Sequence, residues 1–226
     1  MLAVDRAVGA IVAALRERGE LESTVIIYTS DNGVSWGEPG LPVGLKGLPY
    51  EEAIRVPLVV RWEALPVAGY TEYGLVANVD PAPTIAAIAR ALTPPLDGRN
   101  LLPLLVAGKR SPREVVLEYL RGSLPSLVPS YCGLRGQRHT YVLYETGEEE
   151  LYDLSTDPYE LDNLARQERY LPLLGSLRAR TARACLPPPP SFAFPILAYR
   201  QIPLPPALPR RSLQGAASQG DAIAAR

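Results

Sequence analysis

The stretch Val25-Ile26-Ile27-Tyr28-Thr29-Ser30-Asp31-Asn32-Gly33 decides how this chain is read. Its first five residues are apolar without alternation and rich in β-branched side chains, the pattern of a strand covered on both faces. The run stops abruptly at an acidic and an amide residue. Upstream, Val4, Val8, Ile11, Val12 and Leu15 recur at helical spacing and Gly19 supplies a stop, so residues 3–17 are expected to form an amphipathic helix. A helix feeding a buried strand is the grammar of an α/β fold with a mainly parallel sheet.

Downstream, Leu58-Val59-Val60 is a second buried-strand candidate. Asp80-Pro81 reads as a helix N-cap followed by proline at the first helical position. That helix is expected to run to about Leu92 with Ile85, Ile88, Ala89 and Leu92 inward, and Pro94-Pro95 ends it. A short helix over Leu101–Leu105 is expected to end near Gly108. The texture then changes to short strands at Val115–Tyr119, Tyr141–Tyr144 and Glu150–Leu154, with a hairpin turn at Gly147 and a further turn at Asp157-Pro158. A helix over 168–184 places Leu171, Leu174, Leu177 and Thr181 near one face. The expected organisation is an α/β unit over 1–108, a small antiparallel sheet with one packed helix over 109–186, and a tail over 187–226. The tail holds nine of the 24 prolines, beginning with Pro187, and is expected to be disordered or polyproline-like.

Bulk properties exclude several function classes. The 226 residues are 47% hydrophobic and 21% charged, an ordinary globular composition. A net charge of −1 gives no electrostatic case for nucleic acid or an anionic membrane as partner. No apolar run is long enough for a transmembrane helix, and the N-terminus lacks the basic region and solid apolar block of a signal peptide. Two cysteines, Cys132 and Cys185, without clustered histidines rule out a zinc-finger-type site; composition alone leaves open whether they are separate thiols or a disulfide. His139, the single histidine, reads as a surface residue at a strand start, and no nucleophile-elbow motif accompanies it. Arg55 receives no role in the chemistry.

Chemistry enters where the first strand ends. Ligands gather outside the carboxyl ends of strands in open α/β sheets. Asp31 and Asn32 offer a carboxylate and an amide carbonyl there, hard oxygens suited to Ca²⁺ or Mg²⁺. Gly33 is expected to let the backbone turn sharply and leave space for a ligand. Asp-Asn-Gly is equally a turn sequence, and the tripeptide alone leaves both readings open. Lys46, in the loop Gly44-Leu45-Lys46-Gly47-Leu48-Pro49, can neutralise an oxyanion as a point charge, although a lone loop lysine can be merely solvated.

Taken in order, several segments resemble the C-terminal portion of the type I sulfatases, of the arylsulfatase and N-acetylglucosamine-6-sulfatase kind. They are Met1–Asp5, Ser23–Gly33, Trp36-Gly37-Glu38, Lys46-Gly47, Pro49–Arg61, Asn78-Val79-Asp80, Asp97–Leu105, Glu150–Leu154 and Asp157–Ala165, and the likeness covers about residues 1–186. The resemblance implies an alkaline-phosphatase-like (sulfatase) α/β fold, incomplete in this chain, and hydrolysis of sulfate esters of aryl or sugar type. It implies that Asp31 and Asn32 belong to a divalent-metal site, usually Ca²⁺ with Mg²⁺ as the second candidate, and that Lys46 contacts the sulfate. It also implies a disulfide between Cys132 and Cys185. The family is usually exported, and such a bond fits that setting.

The departures matter as much. The family nucleophile is a formylglycine made in a Cys/Ser-x-Pro-x-Arg motif, and neither cysteine here has both the proline and the arginine. Pro39 stands where the family often has histidine. The family's N-terminal metal aspartates and catalytic histidines would lie upstream of Met1, so the chain is expected to be an inactive fragment carrying one side of a site. An uncovered strand at Val25–Thr29 would then favour aggregation. Two rival readings are a non-catalytic, sulfatase-like protein that binds anions or a partner chain, and a phosphate or phosphonate ester hydrolase of the same superfamily.

Overall fold

Two antiparallel sheets organise the described residues, one of two strands and one of four. The computed structural model describes residues 2–186 apart from 38–39, 64, 67–68, 70, 110–111 and 122–126; the expected tail and Pro39 lie outside the described residues. In chain order the elements are α1 (Leu2–Glu17), β1 (Ile26–Thr29), α2 (Glu51–Ile54), β2 (Leu58–Arg61), α3 (Pro81–Ile88), α4 (Leu102–Ala107), β3 (Val115–Tyr119), β4 (Tyr131–Arg135), β5 (His139–Tyr144), β6 (Glu149–Asp153) and α5 (Leu171–Ala184). None of the described helices is long and apolar enough to cross a membrane.

The first half departs from the sequence reading in three places. β1 pairs antiparallel with β2, Ile26 opposite Arg61 and Thr29 opposite Leu58, where parallel pairing was expected. Parallel neighbours need a covering crossover helix, and among the described residues of the link between these two strands the one helix is the single turn of α2. β1 is half-buried rather than covered on both faces, and no residue of α1 is buried. α3 stops at Ile88 because Arg90 turns into the left-handed region, φ 52°. Leu92 is therefore fully exposed and Ile85 more than half exposed, not inward; the helix buries Thr84 instead. α4 ends as its sequence suggests, at Gly108 with φ 58°.

The four-stranded sheet runs β3-β4-β5-β6, every pair antiparallel. β5 sits inside it with both faces covered. Tyr141 and Leu143 join Leu151, Leu164, Leu174 and Leu177 on the face that α5 covers. Val142 and Tyr144 join Leu48, Ala53, Leu117, Val128 and Tyr131 on the other. The period-two alternation of a strand thus serves two cores, and the second spans the expected boundary at residue 108. Leu171, expected on the packed face of α5, is 53% exposed; Leu174, Leu177, Thr181 and Ala182 are the buried positions.

β4 is a strand that sequence reading did not assign. Gly133 interrupts its apolar run, and it does so for packing: a Cβ there would meet the backbone of Tyr141 on β5. β6, the edge strand, is covered by the segment that follows it. Asn163 accepts from Leu151 N at 3.1 Å and from Ala165 N at 2.9 Å, and its amide donates to Glu149 O at 2.9 Å. A disulfide joins Cys132 on β4 to Cys185 at the end of α5, with Cα atoms 6.5 Å apart.

Candidate functional site

The end of β1 forms a compact, self-bonded turn. Asn32 N donates to Asp31 Oδ1 at 2.9 Å, and Ser30 Oγ donates to Asn32 O at 2.9 Å. The Asn32 amide nitrogen donates to Gly33 O at 2.7 Å, which directs its oxygen to the opposite side. Asp31 and Asn32 both line an open cleft of about 1230 Å³, together with Thr29, Arg55, Arg61 and Tyr73. The turn and ligand readings of Asp-Asn-Gly are therefore compatible, because the hydrogen bonds fix the turn while both residues line the cleft.

Gly33 has a different role from the expected sharp turn. Its φ is not in the left-handed region. Its N–H donates to Ala53 O at 2.8 Å, and a Cβ would be driven into the carbonyl oxygen of Glu52. Glycine is required here by the close approach of α2. Gly33→Ala is expected to cost about 1–3 kcal/mol through overpacking, and to shift the Asp31-Asn32 pair. Urea unfolding reads the first effect; an unchanged midpoint would mean that α2 yields freely.

α2 in turn rests on Glu160, which the sequence reading passed over. Glu160 is 2% exposed, and its Oε2 accepts from Glu51 N, the first residue of α2, at 2.7 Å. Arg135 Nε reaches Glu51 Oε1 at 2.7 Å from β4. Burial pushes the Glu160 carboxyl up to about 7, with the charges of Glu51 and Glu52 adding to it and the Glu51 N–H and Thr140 opposing. Between its ordinary value of 4.5 and about 7, the folded chain holds a proton that the unfolded chain has lost. That contribution to stability is complete below 4.5 and is lost as pH rises through 7. Glu160→Gln should remove this slope, gaining on the order of 2 kcal/mol over the native chain at pH 8 and little at pH 4. Thermal unfolding of both proteins at the two pH values tests it, and parallel curves would contradict it.

Lys46 sits at the base of a neighbouring loop. Ser35 N donates to Leu45 O at 3.0 Å and Gly44 N to Ser35 O at 2.8 Å, closing residues 35–45 on themselves. Gly47, at φ 75°, lies against the ring of Tyr119 on β3, so a side chain there would collide with it. Lys46 is exposed and is not among the residues lining the cleft, whereas Gly47 and Leu48 are. His139 is half-buried, not on the surface, with Nε2 4.0 Å from Asp153 Oδ2. It stands apart from the cleft, as do both cysteines.

Whether the cleft suits a cation follows from its donors. Asp31 and Asn32 are hard oxygens, which match Ca²⁺ or Mg²⁺ and supply two of the six or more ligands that Ca²⁺ takes. Among the described residues, the one cluster of three ligand-type side chains is Glu118, Cys132 and Cys185, and its sulfurs are joined to each other.

Comparison with known proteins adds the following. The family model for N-sulphoglucosamine sulphohydrolase, C-terminal, matches residues 45–185. An N-acetylglucosamine-6-O-sulfatase of Bacteroides thetaiotaomicron is 32% identical over 177 residues, 75% of this chain and 31% of the relative. A structure solved in complex with its substrate D-glucosamine-2-N,6-O-disulfate superposes with a TM-score of 0.75 at 30% identity, covering 81% of this chain and 38% of its own. The phosphonate monoester hydrolase of Agrobacterium radiobacter superposes at 0.62 with 28% identity, covering 79% and 39%. The chain thus spans about a third of the length of the curated relative.

Proposed function

The chain belongs to the sulfatase family, and on that premise we propose that it supplies one side of a sulfate-ester hydrolase site. What carries the reading is the placement of Asp31 and Asn32 just past the carboxyl end of β1, lining the cleft, with Gly47 and Leu48, which follow Lys46 in the chain, lining the same cleft. Sulfatases generally use a metal ion and a formylglycine. Asp31 and Asn32 would hold the ion, Ca²⁺ by preference and Mg²⁺ second. When bound, it would supply positive charge at the sulfate oxygens. Asp31 Oδ1 is held by Asn32 N, and the Gly33 N–H bond to Ala53 O ties the pair to α2, which would limit the reorganisation needed to take up an ion. Lys46 would add a mobile point charge toward the sulfate. The substrate class is an aryl or sugar sulfate, and the names of the similar proteins favour a sulfated amino sugar. No formylglycine motif occurs in the 226 residues and both cysteines are bonded, so the nucleophile is not assigned to this chain.

Inorganic sulfate titrated into the 226-residue chain, with and without Ca²⁺, tests the reading. Ca²⁺ should strengthen binding, Asp31→Ala should abolish that dependence, and Lys46→Ala should weaken sulfate roughly fivefold. Sulfate binding indifferent to both substitutions would remove the proposal. The likeness to a phosphonate monoester hydrolase gives a second reading. Methylphosphonate bound in preference to sulfate would favour it. Calcium-independent anion binding would instead favour the non-catalytic reading.

A further inference from the structure

A second, smaller cavity of about 260 Å³ lies behind the Lys46 loop. Leu41, Leu45 and Leu48 form one wall, Val128 and Pro129 another, and Tyr50, Tyr144 and Glu150 line it too. Glu150 accepts from Tyr50 Oη on Oε1 at 3.2 Å and from Tyr144 Oη on Oε2 at 3.1 Å. Tyr152 stands edge-on to Tyr50 with ring centroids 6.1 Å apart, and Tyr131 stands edge-on to Tyr144 at 5.7 Å. The lining also includes Glu148, and no cationic side chain is among the described lining residues. The cavity therefore combines apolar walls, phenol rings and two carboxylates with no positive counterpart among its described lining residues.

A carboxylate has about four acceptor positions, and the hydroxyls of Tyr50, Tyr144 and Tyr152 on Glu150 leave capacity for one further donor. Burial drives Glu150 above the ordinary carboxylate value while the tyrosine hydroxyls pull it back, so a cation would relieve the remaining cost. Aromatic rings attract ammonium groups through their faces, and apolar walls take an alkyl or aryl body. We propose that this cavity binds a small organic ammonium, its nitrogen on Glu150 and its hydrocarbon body against the leucine wall. The ligand is a primary amine of benzylamine size, and the site is separate from the sulfate reading. Its wall is nonetheless continuous with the Lys46 loop through Leu45 and Leu48.

Benzylammonium and benzyl alcohol, which differ in charge but little in shape, are titrated into the full chain while tyrosine ring resonances are followed. Saturable shifts of Tyr50 and Tyr144 are expected with benzylammonium, at least about tenfold tighter than with the alcohol. Glu150→Gln should erase that difference. Tyr144→Phe, which keeps the ring but removes one donor from Glu150, should bind benzylammonium at least as tightly as the native chain. Equal affinity for the amine and the alcohol, or no saturation by on the order of 10 mM amine, overturns the proposal. The native amine-to-alcohol ratio decides the matter even if Glu150→Gln does not fold.

Discussion

Asp80→Ala should unfold at a urea concentration corresponding to about 3–5 kcal/mol less stability, the range for breaking a buried ion pair from one side. Asp80 is fully buried, and its carboxylate has three partners from three segments. Oδ2 accepts from Ala77 N at 2.7 Å and from Arg113 Nη1 at 2.5 Å, and Oδ1 accepts from Arg99 N at 2.8 Å. The residue stands at the N-cap position of α3, but its side chain makes no cap bond there. Removing the carboxylate strands a guanidinium that is only 10% exposed, together with two backbone donors. Asp80→Ala combined with Arg113→Met should therefore be more stable than Asp80→Ala alone, by more than about 1 kcal/mol. If the second substitution adds its own loss instead, the pair is not the cause. Denaturant unfolding followed by circular dichroism reads both outcomes.

The same residue shows how far the sequence could be read. Asp80-Pro81 signalled a helix start, and a helix starts there. That Asp80 would reach across to residues 99 and 113 could not be read locally, because those partners lie 19 and 33 positions away. The Asp97–Leu105 motif becomes intelligible only in this light. Gly98 passes so close to Val79 that no side chain fits, and Leu101 N donates to Thr84 Oγ1 at 2.9 Å. Short β-branched and aromatic runs with turns between them, such as Val115–Tyr119 and Tyr141–Tyr144, were legible because that composition is a local property. β4 was not, since its glycine reads as a break until β5 is seen against it. In the candidate site, residue type alone left Asp31-Asn32-Gly33 open between a turn and a ligand pair, and only the resemblance favoured the ligand reading. The supports of that pair, Glu160 beneath α2 and Gly33 against Glu52, required tertiary contacts between residues up to 109 positions apart.

Replacing Cys132 and Cys185 by alanine should cost about 4 kcal/mol. The bond closes a loop with a sequence separation of 53, and chain-entropy scaling gives that value for a loop of this length. Both sulfurs lie in residues that are 1% exposed, so the substitution also removes packing between β4 and the end of α5. The loss should be uneven across the chain. α5 remains attached at its middle through Leu174, Leu177 and the Arg178–Glu149 ion pair, with Arg180 reaching Glu114 at 3.3 Å. Its last turn, from Thr181 to Ala184, has the disulfide as its covalent anchor to the sheet. Amide exchange in the variant is therefore expected to accelerate first in that turn and in β4, ahead of β5 and β6. β5 keeps hydrogen-bonded neighbours on both sides and apolar cover on both faces, so its exchange should follow global unfolding. A variant that loses less than about 1 kcal/mol, or whose exchange rises equally in all four strands, would show that α5 is held by its apolar face alone.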